Sequence, residues 1–140
     1  MDSFNRKWLT LWYWGVGVFG LVLAGFGFAA TDGPARAMVE LLGNPVADQP
    51  DSHLRFAVGL MGCVTMGWAV TLAAAFRAAW ALPAAQAAPI WKLVLTSALV
   101  WVVPDSIISV ATGFPMNVAS NALLTILLLV PLLRSGVLKA

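Results

Sequence analysis

Asp105 is the residue of this chain best placed to do chemistry, because it is an acid inside an apolar stretch. It lies 13 residues beyond Lys92, roughly 20 Å along a helix at the usual rise. An acid at membrane depth costs at least ~2.5–3.5 kcal/mol, so it must face other helices and find partners there. Pro104, directly before it, removes one backbone donor and frees the carbonyl of Val100. That predicts a kink with a small polar opening beside the acid. Ser109 and Thr112 follow Asp105 at i+4 and i+7 and share its helical face. After a short connection at 113–116, Asn117, Ser120 and Asn121 open the next apolar stretch, with Thr125 one turn deeper. Folding the two stretches back on each other brings Ser109 towards Ser120, and Asp105 towards Leu124 or Thr125. Asp105, Ser106, Ser109, Asn117, Ser120 and Asn121 therefore form a predicted polar seam. Arg55 is the one cation expected within its reach, and His53 stands just outside. Such a seam can hydrogen-bond helices together, hold a ligand or ion, or relay protons.

Tryptophan is the second unusual feature, with seven in 140 residues. Trp8, Trp12, Trp80 and Trp91 fall near one predicted membrane boundary and read as an interfacial belt. Trp14, Trp68 and Trp101 lie deeper, at similar depths, and can ring a flat ligand such as a quinone, a carotenoid or another pigment. Other chemistry lacks its parts. One histidine and one cysteine (Cys63) cannot make a metal site. No second acid lies inside a span, so paired-carboxylate hydrolysis has no partner for Asp105.

These residues need helices in lipid to position them. The composition is 61% hydrophobic and 10% charged, against about 25% charged in a soluble domain. That excludes a soluble globule, and the dispersed basic residues exclude a nucleic-acid interface. Apolar runs predict four membrane helices over about 8–30, 54–76, 91–112 and 117–133. The first run is too long for the apolar core of a signal peptide and is read as a retained span. Arg6, Lys7, Arg77, Lys92, Arg134 and Lys139 all fall on one side of a four-span chain, which by the positive-inside rule is the cytoplasm, with both termini.

Between spans one and two, Pro34 follows Asp32 and Gly33, and Ala35, Met38, Val39 and Leu42 repeat at helical spacing. This predicts a short amphipathic surface helix, with Arg36 and Glu40 paired on its polar side, stopped at 43–45 and followed by a loop to Asp51. The Ala-rich segment 77–89, with Pro83 and Pro89, reads as a connection. Gly20 with Ala24, and Cys63 with Gly67, have the small-xxx-small spacing of close helix contacts. The whole is a single integral membrane domain, an all-α up-down-up-down four-helix bundle.

The run Trp101-Val102-Val103-Pro104-Asp105-Ser106, followed by Gly113, Asn117 and Asn121, resembles small four-span inner-membrane proteins of alphaproteobacterial type, mainly over residues 91–133. The resemblance implies four spans and no catalytic residues. The expected function is that of a non-enzymatic accessory or assembly subunit of a larger inner-membrane complex, respiratory or photosynthetic. Its partners would be the lipid bilayer and other transmembrane helices, in a homo-oligomer or a mixed complex. The alternative is a small transporter or hydrophobic-ligand carrier that uses Asp105.

Overall fold

The computed structural model describes residues 1–43, 46 and 48–139. Five helices follow in order: α1 (Ser3–Gly25), α2 (Gly33–Leu41), α3 (Ser52–Ala81), α4 (Ala84–Ala111) and α5 (Met116–Arg134). Four of them are long and apolar enough to cross a bilayer. The short α2 lies between the first two, as its amphipathic spacing predicts. The long helices form a closed ring in which α1 packs on α3, α3 on α4, α4 on α5, and α5 on α1. This is the expected up-down-up-down bundle. The ends bearing Arg6, Arg77, Lys92 and Arg134 gather at one pole, the basic end. Arg6 lies over Trp80 at 5.9 Å and Arg134 over Phe4 at 5.5 Å.

Helix limits differ from the expected ones where capping decides. Asp2 accepts a hydrogen bond from the Asn5 N–H at 2.8 Å, so α1 starts at Ser3 rather than near Trp8. It also ends at Gly25, and a turn carries the chain through 26–31 to α2. Asp51 caps α3 in the same way, through Leu54 N–H at 2.8 Å. The Ala-rich segment expected to be a connection is helical. Alanine is the strongest helix former, and Pro83 with φ −55° is preset to start α4, leaving only Leu82 and Pro83 between α3 and α4. Asn44 and Pro45 of the expected stop, and Ala47 of the loop after it, lie outside the described residues.

The interior near the basic end is largely apolar. Leu9, Phe76, Trp91, Leu128 and Leu132 are fully buried together. Trp12 and Trp91, expected in the interfacial belt, are core residues instead. Trp91 packs on Phe76 with ring centroids 5.3 Å apart. Trp12 packs edge-on to Trp68 at 6.3 Å.

Two indoles tie α1 to α5. Trp12 Nε1 donates to the Leu124 carbonyl at 3.0 Å, and Trp8 Nε1 to the Leu127 carbonyl at 2.8 Å. Leu127 would ordinarily bond the N–H four residues on, but that residue is Pro131, which has none. Trp8 thus satisfies a carbonyl that the helix cannot. Trp8→Phe should cost about 1–2 kcal/mol. In a Pro131→Ala background the restored N–H takes over the carbonyl, and the same substitution should cost less than half as much. Unfolding titrations of the four proteins check this; equal costs in both backgrounds would rule it out.

Candidate functional site

The predicted seam assembles where α4 and α5 run together, at the pole opposite the basic end. Asn121 is 3% exposed, and its Nδ2 donates to Asp105 Oδ2 at 2.6 Å and to Ser106 Oγ at 3.0 Å. Asn117 Nδ2 donates to the same Oδ2 at 2.7 Å and to Ser109 Oγ at 2.9 Å. Ser109 Oγ in turn donates to the Asp105 carbonyl at 2.7 Å. The geometry follows from the sequence. Asn117 and Asn121 are one turn apart on α5, as Asp105 and Ser109 are on α4. The tight connection at 112–115 sets the two pairs face to face, with Phe114 N–H bonded back to Ser109 O at 2.7 Å.

Five of the eight residues expected at this site are therefore joined by hydrogen bonds. The other three are elsewhere. Ser120 is exposed, because it lies about 100° around α5 from Asn121. His53 is exposed at the start of α3. Arg55 does not reach Asp105. It bonds Asp32 Oδ2 at 3.0 Å and the Phe26 carbonyl at 3.1 Å, with its guanidinium 5.8 Å from the Phe26 ring. Its helix faces α1 at this level, and the nearest acid there is at the α1–α2 corner.

That corner is a second polar cluster which spacing alone did not reveal. Asp32 is 7% exposed and holds both Arg36 (3.0 Å) and Arg55. Arg36 thus pairs backward with Asp32 and not forward with Glu40. The cluster borders an open cavity of about 580 Å³ that Asp48, Gln49 and Pro50 complete. Desolvation raises the Asp32 pKa, but hydrogen bonds from Arg36 and Arg55, and then their charges, outweigh it. The carboxyl ends below its ordinary value. A lowered carboxyl stabilises the fold fully above the ordinary value of 3.8, and loses that effect as pH falls through the folded value. Spin labels on α2 and α3 should therefore separate only as pH falls below that ordinary value, and Asp32→Asn should remove that pH dependence. Separation unchanged by Asp32→Asn would place the titrating group elsewhere.

The three deep tryptophans do not form a ring. Trp68 and Trp101 are neighbours at 5.6 Å, and Trp12 is the third member. Trp14 is 62% exposed on the outside of α1. It was expected inside because depth along a helix does not say which way a side chain points.

These tryptophans mark a level at which the bundle divides. The core clusters and ring contacts that join the α1/α3 pair to the α4/α5 pair lie between them and the basic end. Beyond them polar contacts run within each pair, Arg55 to Phe26 on one side and Asn117 and Asn121 to Asp105 on the other. Trp12 and Phe19 share a stripe of α1 seven residues apart, yet Trp12 is buried and Phe19 is 42% exposed. On α3 Leu72 is buried, Trp68 half-buried and Met61 50% exposed, and on α4 Ala98 is buried, Trp101 37% exposed and Ile108 60% exposed. Stripes buried near the basic end are thus uncovered at the other pole. This exposure implies a cleft between the two pairs, with Trp68 and Trp101 towards its floor. Asp105, one turn beyond Trp101, lies on its α4/α5 wall.

Comparison with family models, with curated proteins and with solved structures found no match for this chain.

Proposed function

We propose that this chain is a non-enzymatic accessory or assembly subunit that receives a transmembrane helix of another protein in its open half, within a larger bacterial inner-membrane complex. The observation that carries this reading is the divided bundle. A four-helix protein optimised for itself would close its core along its whole length. Here the covered stripes of α1, α3 and α4 become uncovered at Phe19, Met61 and Ile108. Helix-to-helix packing in lipid depends on close contact and hydrogen bonds, since lipid is as apolar as the side chains. A preformed cleft with a polar wall offers both. The basic end supports a cytoplasmic placement of both termini by the positive-inside rule.

The test is to fill the cleft. The chain, 14.8 kDa alone, should purify from its native membrane in mild detergent as a larger species with one stoichiometric partner. Met61→Trp should release the partner, while Leu11→Trp on the exposed outside of α1 should retain it. A lone monomer, or equal retention in both variants, would count against the proposal.

One observation favours a second reading, a carrier for a hydrophobic ligand: Asp105 and the Trp68–Trp101 pair meet in the same cleft. On that reading Asp105→Asn abolishes ligand uptake by protein that still folds.

A further inference from the structure

Asp105 is incompletely satisfied by its own chain. Both carboxamides converge on one oxygen, Oδ2. Among the described residues no hydrogen bond reaches Oδ1. The residue is half-buried, and Oδ1 is not enclosed by protein. An acid at membrane depth needs a counter-charge or a donor for its remaining lone pairs. Among the described residues no cation forms an ion pair with it. Arg55 is held by Asp32, and Arg6 and Arg134 lie at the opposite pole on aromatic rings. A second copy offers the same set, its Arg36 and Arg55 held by Asp32 in the same way. Every lysine and arginine lies near an end of a long helix or outside them, and none falls within 56–76, 93–133 or 8–35. The missing group must come from a different molecule.

We infer that the helix received in the cleft carries a lysine or arginine at the level of Asp105, and that Asp105 Oδ1 is its acceptor. This rests on the helix-receiving role proposed above and specifies the chemistry of the partner. Charge complementarity selects the occupant, and the depth is set by the fold. Asp105 lies six residues before the end of α4 at Ala111, about 9 Å at the usual rise. A lysine or arginine stem spans several ångströms along an apolar surface and presents its charge at the tip. Such a side chain can lie along Ile108 and end at the carboxylate. Asn117 and Asn121 then have a positioning role. By holding Oδ2 they fix the carboxylate and leave Oδ1 towards the cleft.

The test uses the full chain in phosphatidylcholine vesicles with labelled transmembrane peptides of about 20 residues. An apolar Leu/Ala host is compared with the same host carrying lysine about 9 Å from one end of the helix, and with one carrying lysine two turns deeper. Energy transfer should show the matched-lysine peptide binding about tenfold more tightly than the host. The deeper lysine should give no gain. Asp105→Asn should reduce the matched peptide to the level of the host, and Asp105→Lys should prefer a matched glutamate peptide. Equal binding of the matched and deeper lysines to the unaltered protein overturns the inference without needing any variant to fold. If the host binds the native protein and Asp105→Asn alike, and Met61→Trp blocks it, helix docking stands and the charge pairing falls. If no peptide binds but tetraphenylphosphonium does, in a way that Asp105→Asn abolishes, both fall in favour of a small-cation carrier.

Discussion

Gly62→Leu should separate α1 from α3 and unfold the half of the bundle that carries α2. At this crossing the two backbones touch. A Cβ built on Gly62 would come within 2.5 Å of the Gly20 carbonyl oxygen and closer still to the backbone nitrogen of Ala24. A Cβ on Gly20 would meet the Met66 nitrogen at 2.8 Å and the Gly62 oxygen at 2.9 Å. These neighbours are main-chain atoms of helices and cannot swing aside. Alanine at Gly62 must therefore push the helices apart, at about 1–3 kcal/mol as for other overpacked sites. Leucine should cost more, because the separated helices lose contact along the whole crossing, including Gly27 against Gly59. Gly67 is the control. Nothing lies within 4 Å of its Cβ position, so Gly67→Ala should be neutral or slightly stabilising. Thermal or detergent-induced unfolding distinguishes the two. If Gly62→Ala matched Gly67→Ala, the close crossing would not exist in the membrane.

The same crossing shows where the amino-acid sequence is readable and where it is not. Small-residue spacing marks Gly20 and Ala24 on α1, and both are in the contact. On α3, however, that spacing marks Cys63 with Gly67, whereas Gly59 and Gly62 are three residues apart and escape it. The contact uses Gly59 and Gly62, and Cys63 is exposed. In a soluble helix the polar side would settle the choice. In a helix that is apolar all round, periodicity does not separate the face towards protein from the face towards lipid. That is also why Trp12 and Trp91 resemble belt residues while being buried, and why Trp14 resembles a pocket residue while facing outwards. The seam at Asp105 escapes this ambiguity. Its members are polar and their spacing is one helical turn on both helices, but the pairing differs from the expected one. Asp105 meets Asn117 and Asn121 rather than Leu124 or Thr125, and Ser109 meets Asn117 rather than Ser120, because the connection is tighter than a simple mirror about it allows. Arg55 was misassigned for a different reason. It stands at the same pole as Asp105, but the glycine crossing commits its helix to α1, and Asp32 is reached first.

Asn121→Leu should destabilise the α4/α5 hairpin by about 1–3 kcal/mol, more than an average interhelical hydrogen bond in a membrane. It removes the 2.6 Å bond to Asp105 Oδ2 and the 3.0 Å bond to Ser106 Oγ, and leaves the acid with Asn117 alone. The informative comparison is the double variant. With Asp105→Leu added, no acid remains to be satisfied. Asn117 keeps its 2.9 Å bond to Ser109, and two leucines meet where two polar groups met. Unfolding in bicelles should show the double variant losing less than the sum of the singles, by about 0.5–3 kcal/mol. Strict additivity would mean that Asn121 does not act through Asp105. A near-native double variant would also bear on why the acid is there. Apolar side chains can replace a buried polar pair without loss of stability, so a fold that needs only register has no use for a carboxylate with one oxygen left open. If the leucine pair restores the hairpin and still fails to hold a partner helix, the acid serves the complex rather than the fold.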